Sequence, residues 1–195
     1  QISELPLKEK MISAIKELAE AAEVDVSRTE RPTIPVSVKT RVGYDQLQIK
    51  EWANFLANQN LAAVTLHGRT LKQMYTGEAD WQAIKEGAAI IKAKSESLVL
   101  GNGDITTLVE AKQRAKEFGL DGVLIGRASI GNPWAFTNQQ PTANELKETI
   151  IDHAKKHEDV YGSRGFAAFR RFLAAYIKGV KGASKLRTEL MQAPD

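Results

Sequence analysis

The chain has 195 residues, of which 43% are hydrophobic and 26% are charged, and its formal net charge is +3. This composition is ordinary for a folded globular protein, and with no apolar run near the roughly 20 residues of a membrane helix and no signal-peptide pattern we expect a cytoplasmic protein without a membrane partner. The sequence contains no cysteine, which excludes disulfides, thiolate metal sites and thiol catalysis within this chain.

Hydrophobic periodicity divides the chain into a strand-containing part and a helical part. Apolar spacings of three and four predict an opening helix over residues 7–22. Beyond it, strands are predicted over residues 36–41, 64–69, 98–101 and 123–125, and helices over residues 46–58, 81–94 and 107–118. After Pro141 the strand signals stop, and Thr142 with Glu145 has capping-box spacing for the first of three further helices, over residues 142–160, 166–180 and 186–191.

Alternating strands and helices predict an α/β fold with a parallel sheet. A complete (β/α)8 barrel has eight strands and roughly 250 residues, whereas this chain supplies four strands. We therefore expect a partial TIM barrel of about four C-terminal βα units over residues 1–140, followed by a small, incomplete helical domain over residues 141–195. Such a half barrel exposes sheet surface, which predicts self-association or a missing N-terminal half.

Polar residues end the first two strands. Lys39 and Arg41 share one face of the first strand, and His67 and Arg69 share a face of the second. A surface strand would explain the cations, but the apolar neighbours favour a buried site where a ligand supplies negative charge or carbonyl oxygens. A core histidine would explain His67 alone, and its place beside Gly68 and Arg69 at a strand end favours ligand contact.

Glycine turns follow the last two strands. The turn over Gly101, Asn102, Gly103 and Asp104 lets backbone approach a ligand, and the amides of the next helix can bind an anion. Gly126 and Arg127 hold the same place after the fourth strand. Either turn alone is explained equally well as a tight structural turn, but in a barrel the two adjacent turns favour a phosphorylated ligand.

Basic residues concentrate near the C-terminus. Residues 155–187 contain nine basic and two acidic side chains, which suits either a solvated helix face or a phosphate-binding surface. His153 and His157 lie four apart on a predicted helix, but no third ligand is evident, so we expect a solvated face and no metal site.

Four motifs in order resemble the tRNA-dihydrouridine synthases. They are Val38-Lys39-Thr40-Arg41-Val42-Gly43, Leu66-His67-Gly68-Arg69-Thr70, Gly101-Asn102-Gly103-Asp104-Ile105 and Ile125-Gly126-Arg127. Order and spacing agree over roughly residues 35–136, and the segment around Arg170-Arg171 weakly resembles the family's helical domain. Each motif alone is modest, whereas the ordered set is specific.

This resemblance implies a flavoprotein oxidoreductase that uses FMN to reduce the C5–C6 double bond of particular uridines in tRNA, with NADPH reducing the flavin. In that family the residues matching Lys39 and His67 contact the flavin ring. The residues that hold its ribityl phosphate match Asn102, Gly103, Asp104, Gly126 and Arg127.

The resemblance also implies tRNA as partner. Arg41 and Arg69 match positions that face the uridine or its tRNA, and the helical domain that contains Arg170 and Arg171 helps to hold the tRNA. In that family a cysteine on an earlier loop protonates the uracil, and this chain has no cysteine. We therefore expect no catalytic residue here, only the C-terminal part of such an enzyme, inactive alone. The alternatives are another phosphate- or flavin-binding barrel acting on a small metabolite, and a non-catalytic RNA-binding remnant.

Overall fold

The computed structural model of this chain describes residues 34–137, 139–162, 166–180 and 182–192. The helix predicted over residues 7–22 lies outside them. The strands are β1 (Ser37–Arg41), β2 (Ala63–His67), β3 (Leu98–Asn102) and β4 (Gly122–Leu124). The α-helices of the described residues are α1 (Ile49–Leu56), α2 (Trp81–Lys94), α3 (Leu108–Glu117), α4 (Ala143–Tyr161), α5 (Phe166–Tyr176) and α6 (Ala183–Gln192), with short 3-10 helices at Arg127–Ser129 and Pro133–Phe136.

The four strands form one parallel sheet in the order β1-β2-β3-β4. Each strand pairs with the next strand along the chain, and one helix lies in each connection. This confirms the α/β fold with a parallel sheet. The described residues form two compact units, residues 34–105 with 110–124 and residues 106–109 with 125–192. The sequence predicts a domain boundary between residues 140 and 141, which is not where these two units divide. That domain boundary stays a prediction.

One face of the sheet packs against helices within the first unit. Val64, Leu66 and Val99 are fully buried on this face. The indole Nε1 of Trp52 on α1 donates a 2.8 Å hydrogen bond to the Thr40 hydroxyl on β1, which satisfies both polar groups in the core. This face therefore forms the hydrophobic core, and the candidate ligand-binding residues lie on the opposite face.

Gly87 lies in the middle of α2, where glycine weakens a helix. A Cβ at this position would lie 2.7 Å from the Ile49 side chain and 2.8 Å from that of Leu66. The missing side chain therefore lets α2 approach both α1 and β2 closely, and packing compensates for the low helix propensity.

The opposite face of the sheet carries polar and exposed side chains. Lys39 on β1 is exposed, and Leu98 on β3 is 55% exposed. Because the helices of the first unit lie on the other side, this face is the one that strand ends can use for a ligand or a partner.

In the second unit, α4 begins with the capping box that the sequence predicts. The Thr142 hydroxyl accepts from the Glu145 amide at 3.2 Å, and the Glu145 carboxylate accepts from the Thr142 amide at 2.7 Å. None of the helices in the described residues is both long and apolar enough to cross a bilayer.

The two histidines of α4 face aromatic rings, so the expected solvated face is wrong. His153 makes a 3.0 Å hydrogen bond through Nδ1 with the Tyr176 hydroxyl and packs edge-on against Phe169, with centroids 4.9 Å apart. His157 also packs on Phe169, at 5.3 Å. The sequence lacked this information because the rings come from α5. Among the described residues, no three histidine, aspartate or glutamate side chains are grouped as a metal site would need.

Candidate functional site

Arg41, His67 and Asn102 lie side by side across three neighbouring strands. Arg41 pairs in register with His67, and His67 pairs with Asn102. Residues in register on parallel strands point to the same face, so the three side chains form one row at the carboxyl edge of the sheet. Lys39, two residues before Arg41, lies on that face in register with Thr65. The sheet therefore brings together the residues that the sequence placed at separate strand ends.

His67 is a neutral imidazole at physiological pH. Its side chain is buried, with 7% of the residue exposed. The pKa of His67 is lowered from 6.5 to about 4, first by burial and then by the nearby cations Arg41, Lys39 and Arg69, while the Asp104 carboxylate opposes this shift. A neutral ring can donate from one nitrogen and accept at the other, which suits a polar heterocycle.

Lys39, which lies beside this row, carries a positive charge that no described side chain neutralises. The pKa of Lys39 is lowered, first by desolvation and then by the charge of Arg41. Within the part of the chain that the structure describes, its ammonium makes no hydrogen bond or ion pair. An ammonium that is partly desolvated beside other cations is a ready donor for an electron-rich ligand atom.

The turn after β3 requires glycine. Gly103 has φ +141, which side chains rarely adopt, and a Cβ there would overlap the Cβ of Ala79. The same Cβ would lie 3.5 Å from Cδ2 of His67. Asp104 follows in the left-handed region at φ +57. Backbone thus comes close to the imidazole at this point, and the expected approach of this turn to a ligand stays a prediction.

Arg41 and Arg69 both hold the loop that follows β2. Arg41 Nη1 donates to the carbonyl oxygens of Thr70 at 2.7 Å and of Met74 at 2.9 Å. Arg69 is 2% exposed and donates from Nε to Thr76 O at 3.2 Å and from Nη2 to Gly77 O at 2.6 Å. Their expected contact with uridine or tRNA stays a prediction, and the structure gives both residues an internal role as well.

The loop carbonyls and the Ala79 amide are functional groups that sequence reasoning missed. Backbone groups are the same at every residue, so the sequence does not reveal which of them bind a side chain. The only signal for this loop was the presence of two arginines close to glycines. Arg69 Nη1 is buried without a hydrogen-bond partner in the described structure. A buried guanidinium nitrogen without an acceptor is costly, so this atom offers a donor to a ligand or a water molecule.

Gly126 and Arg127 belong to the second unit. The Gly126 carbonyl accepts from the Ser129 amide at 3.0 Å and from its hydroxyl at 2.7 Å, which starts the 3-10 helix Arg127–Ser129. Arg127 is exposed. Their grouping with Lys39 and His67 around one phosphate stays a prediction.

Arg170 and Arg171 lie on α5 of the second unit in different environments. Arg170 is half-buried, whereas Arg171 is exposed and its guanidinium lies 4.8 Å from the centroid of the Phe172 ring. Arg171 is therefore the better placed of the two to contact an external partner.

Comparison with known proteins identifies what the chain resembles. The model of the dihydrouridine synthase (Dus) family matches residues 8–195. A probable tRNA-dihydrouridine synthase of Staphylococcus aureus (strain MRSA252) is 35% identical over 182 residues, which cover 88% of this chain and 54% of the relative. Probable tRNA-dihydrouridine synthase 2 of Bacillus subtilis (strain 168) is 34% identical over 169 residues, covering 81% and 50%. The chain spans about half the length of the curated relatives it matches.

Proposed function

Because this chain belongs to the dihydrouridine synthase family, we propose that it forms the C-terminal half of an FMN-dependent tRNA-dihydrouridine synthase. The reaction would reduce uridine in tRNA to 5,6-dihydrouridine in the cytoplasm, with NADPH as the reductant. On this proposal the four parallel strands are half of a (β/α)8 barrel. Two observations support it. One face of the sheet carries the exposed side chains Lys39 and Leu98, and the chain spans 54% of a relative's length.

The observation that carries the proposal is the row of Arg41, His67 and Asn102 with the uncompensated Lys39 beside it. In parallel α/β proteins, ligands bind at the carboxyl ends of strands. Arg41, His67 and Asn102 lie at that edge, and Lys39 lies two residues before it on the same face. The row combines positive charge with a neutral imidazole, which favours an electron-rich planar ligand over a simple cation or an apolar molecule.

The donor set suits FMN. Its ring system carries carbonyl oxygens and ring nitrogens, for which Lys39 can donate and neutral His67 can donate or accept. Gly103 brings the backbone of the turn close to the His67 ring, and the space that its Cβ would take is occupied by Ala79. We propose that Asn102, Gly103, Gly126 and Arg127 complete the site, and that Asp104 belongs to it as part of the same turn.

The chain's own residues would act by binding and electrostatics. FMN, once reduced, would supply the hydride for the uracil double bond. Lys39 would donate to a flavin or uracil carbonyl oxygen, where a positive charge stabilises negative charge that accumulates during reduction. Its lowered pKa reflects desolvation, and an ammonium that has already lost water interacts more strongly with an anion. Arg41 would fix the Thr70–Met74 carbonyls, so that the loop edge of the site keeps its shape.

The basic side chains of the second unit would bind tRNA. Arg171 and Lys178 are exposed within the segment where nine basic residues outnumber two acidic ones. Cationic surfaces bind the phosphates of folded RNA by charge and shape. The uridine would leave its base stack to reach the flavin.

No residue of this chain would serve as the proton donor to uracil. In the tRNA-dihydrouridine synthases that the chain resembles, a cysteine has this role. The sequence of this chain contains no cysteine. We therefore propose that this chain alone binds flavin and RNA but does not reduce uridine. The same absence favours a second candidate, a non-catalytic RNA-binding protein, which would bind tRNA and retain no flavin.

Flavin titration tests the proposal. The chain is mixed with FMN and followed by quenching of flavin fluorescence, alone and after addition of the N-terminal half of a relative. Binding in either case, weakened by Lys39→Ala and unaffected by Lys50→Ala on α1, would support it. Absence of flavin binding in both mixtures, with tRNA binding retained, would favour the second candidate instead.

A further inference from the structure

A single carboxylate oxygen joins the end of β2, the end of the following loop and the turn after β3. Asp104 Oδ2 accepts from Arg69 Nη2 at 2.6 Å and from the Ala79 amide at 2.9 Å. The same Arg69 nitrogen donates to Gly77 O at 2.6 Å, and Nε donates to Thr76 O. We call Arg69, Asp104 and the segment from Thr76 to Ala79 the clasp.

The charge of Arg69 makes the clasp difficult to open. A guanidinium that is 2% exposed has lost nearly all of its hydration and depends on its protein partners. Charge-assisted hydrogen bonds to a carboxylate are about twice as strong as neutral ones. Moving the loop away from Asp104 would leave a buried charge without its counter-ion, so the loop end and the turn are held as one piece.

The clasp borders the proposed ligand site on two sides. Arg69 lies two residues after His67, and Asp104 directly follows Gly103. A Cβ on Gly103 would overlap Ala79 and lie 3.5 Å from the His67 ring, so Ala79 and His67 both lie on the side of Gly103 where a Cβ would project. Asp104 holds the Ala79 amide, so it fixes a residue that packs against Gly103 next to the His67 ring.

We propose that Asp104 and Arg69 are positioning residues that act through each other. Their ion pair sets the spacing between the His67 imidazole and the Gly103 backbone, and the Asp104 side chain does not itself bind the ligand. This assigns to Asp104 a role other than phosphate contact and to Arg69 a role other than RNA contact. The identity of the ligand as FMN rests on the proposed function, whereas the clasp does not.

The chain contains a matched control for Asp104. Asp121 also pairs with a cation, Lys92, at 2.7 Å and accepts a backbone amide, from Val99, at 2.7 Å. The two carboxylate side chains are similarly exposed, 36% for Asp104 and 32% for Asp121. Asp121 precedes β4, at the amino end of the sheet, so its substitution removes a similar ion pair without touching the site.

The first test needs no flavin. In Asp104→Asn the Ala79 amide should exchange its hydrogen about ten-fold or more faster, since the bond to a charged acceptor is lost. The His67 ring resonances should also shift. Asp121→Asn should leave both unchanged. Unaltered Ala79 exchange in Asp104→Asn would overturn the clasp whether or not the protein binds flavin.

The second test separates positioning from direct contact. FMN affinity is measured for Asp104→Asn, Arg69→Lys and the double variant, with Asp121→Asn as the control. Residues that act through each other should give a double variant no weaker than the weaker single variant, each about ten-fold weaker than wild type. Losses that multiply in the double variant would overturn the proposal. If the wild type binds no FMN, either alone or with the N-terminal half of a relative, the proposed function fails and the exchange experiment alone decides the clasp.

Discussion

Arg41 on β1 and His67 on β2 occupy facing positions of two parallel strands, and this pairing places a guanidinium beside a buried imidazole. The neighbouring charge adds to burial in keeping the imidazole neutral. Arg41 keeps its own orientation by donating to two loop carbonyls, Thr70 O and Met74 O. The site therefore holds positive charge and a neutral hydrogen-bonding ring next to each other.

The buried His67 should make the protein less stable in mild acid. Its pKa is about 4 in the folded chain and 6.5 ordinarily, so between these values the unfolded chain binds a proton that the folded chain does not. The free energy of unfolding should fall as pH falls through that window. Denaturant titrations at pH 7 and pH 4.5 should show a larger loss for wild type than for His67→Gln. An NMR titration midpoint of His67 near 6.5 would contradict this prediction.

Lys39→Ala should weaken flavin binding about ten-fold or more while leaving stability almost unchanged. The ammonium has no partner in the described residues, so its removal breaks no internal ion pair. We expect the free energy of unfolding to stay within about 0.5 kcal/mol of wild type. Lys50→Ala, which removes an exposed lysine paired with Glu86 at 3.0 Å, is the control and should bind flavin normally. Equal affinities for both variants would argue against a ligand at Lys39.

Gly103→Ala should damage both stability and flavin binding. The backbone at φ +141 disfavours a side chain, and the added Cβ overlaps Ala79, for a combined cost of about 3 kcal/mol or more. Gly119→Ala is the control, because Gly119 has φ +66 but open space around its Cβ position, and it should cost about 1–2 kcal/mol. Denaturant unfolding and FMN fluorescence compare the two. A Gly119 variant that loses as much flavin affinity as the Gly103 variant would count against a specific role for the turn.

Charge reversal on α5 should weaken tRNA binding. Arg171→Glu places a negative charge on the exposed basic surface, and we expect about ten-fold lower affinity together with a shallower dependence on salt. Lys112→Glu on α3 makes the same change in charge outside this surface and is the control. Gel-shift titrations at two salt concentrations measure both. Equal effects of the two variants would indicate binding by net charge alone.

The chain by itself should associate through the sheet face that carries the exposed Leu98. Leu98 is 55% exposed on that face, and Lys39 and Thr65 lie on it too. Sedimentation should detect dimers or larger species at micromolar concentration, and Leu98→Glu should reduce them. Val109→Glu, at an equally exposed apolar residue on α3, should leave association unchanged. A stable wild-type monomer would contradict the expectation.

Most strands and helices could be predicted from the periodicity of hydrophobic residues. The strands begin and end within two residues of their predicted positions, because alternating polar and apolar residues report which face of a strand is buried. The capping box of α4 was likewise local, since Thr142 and Glu145 lie three residues apart. His153 and His157 were misjudged because the aromatic rings that they contact come from another helix.

The sequence by itself predicted that Lys39, Arg41, His67 and Asn102 would share one face of the sheet near its carboxyl edge, because consecutive parallel strands bring their carboxyl ends to one edge. Only the tertiary structure decided that Arg69 is buried against Asp104, 35 residues further along the chain, and that loop carbonyls receive both arginines. Such partners depend on the path of a loop in three dimensions. Because backbone carbonyls and amides are the same at every residue, no pattern in the sequence distinguishes the ones that an arginine or a carboxylate will find.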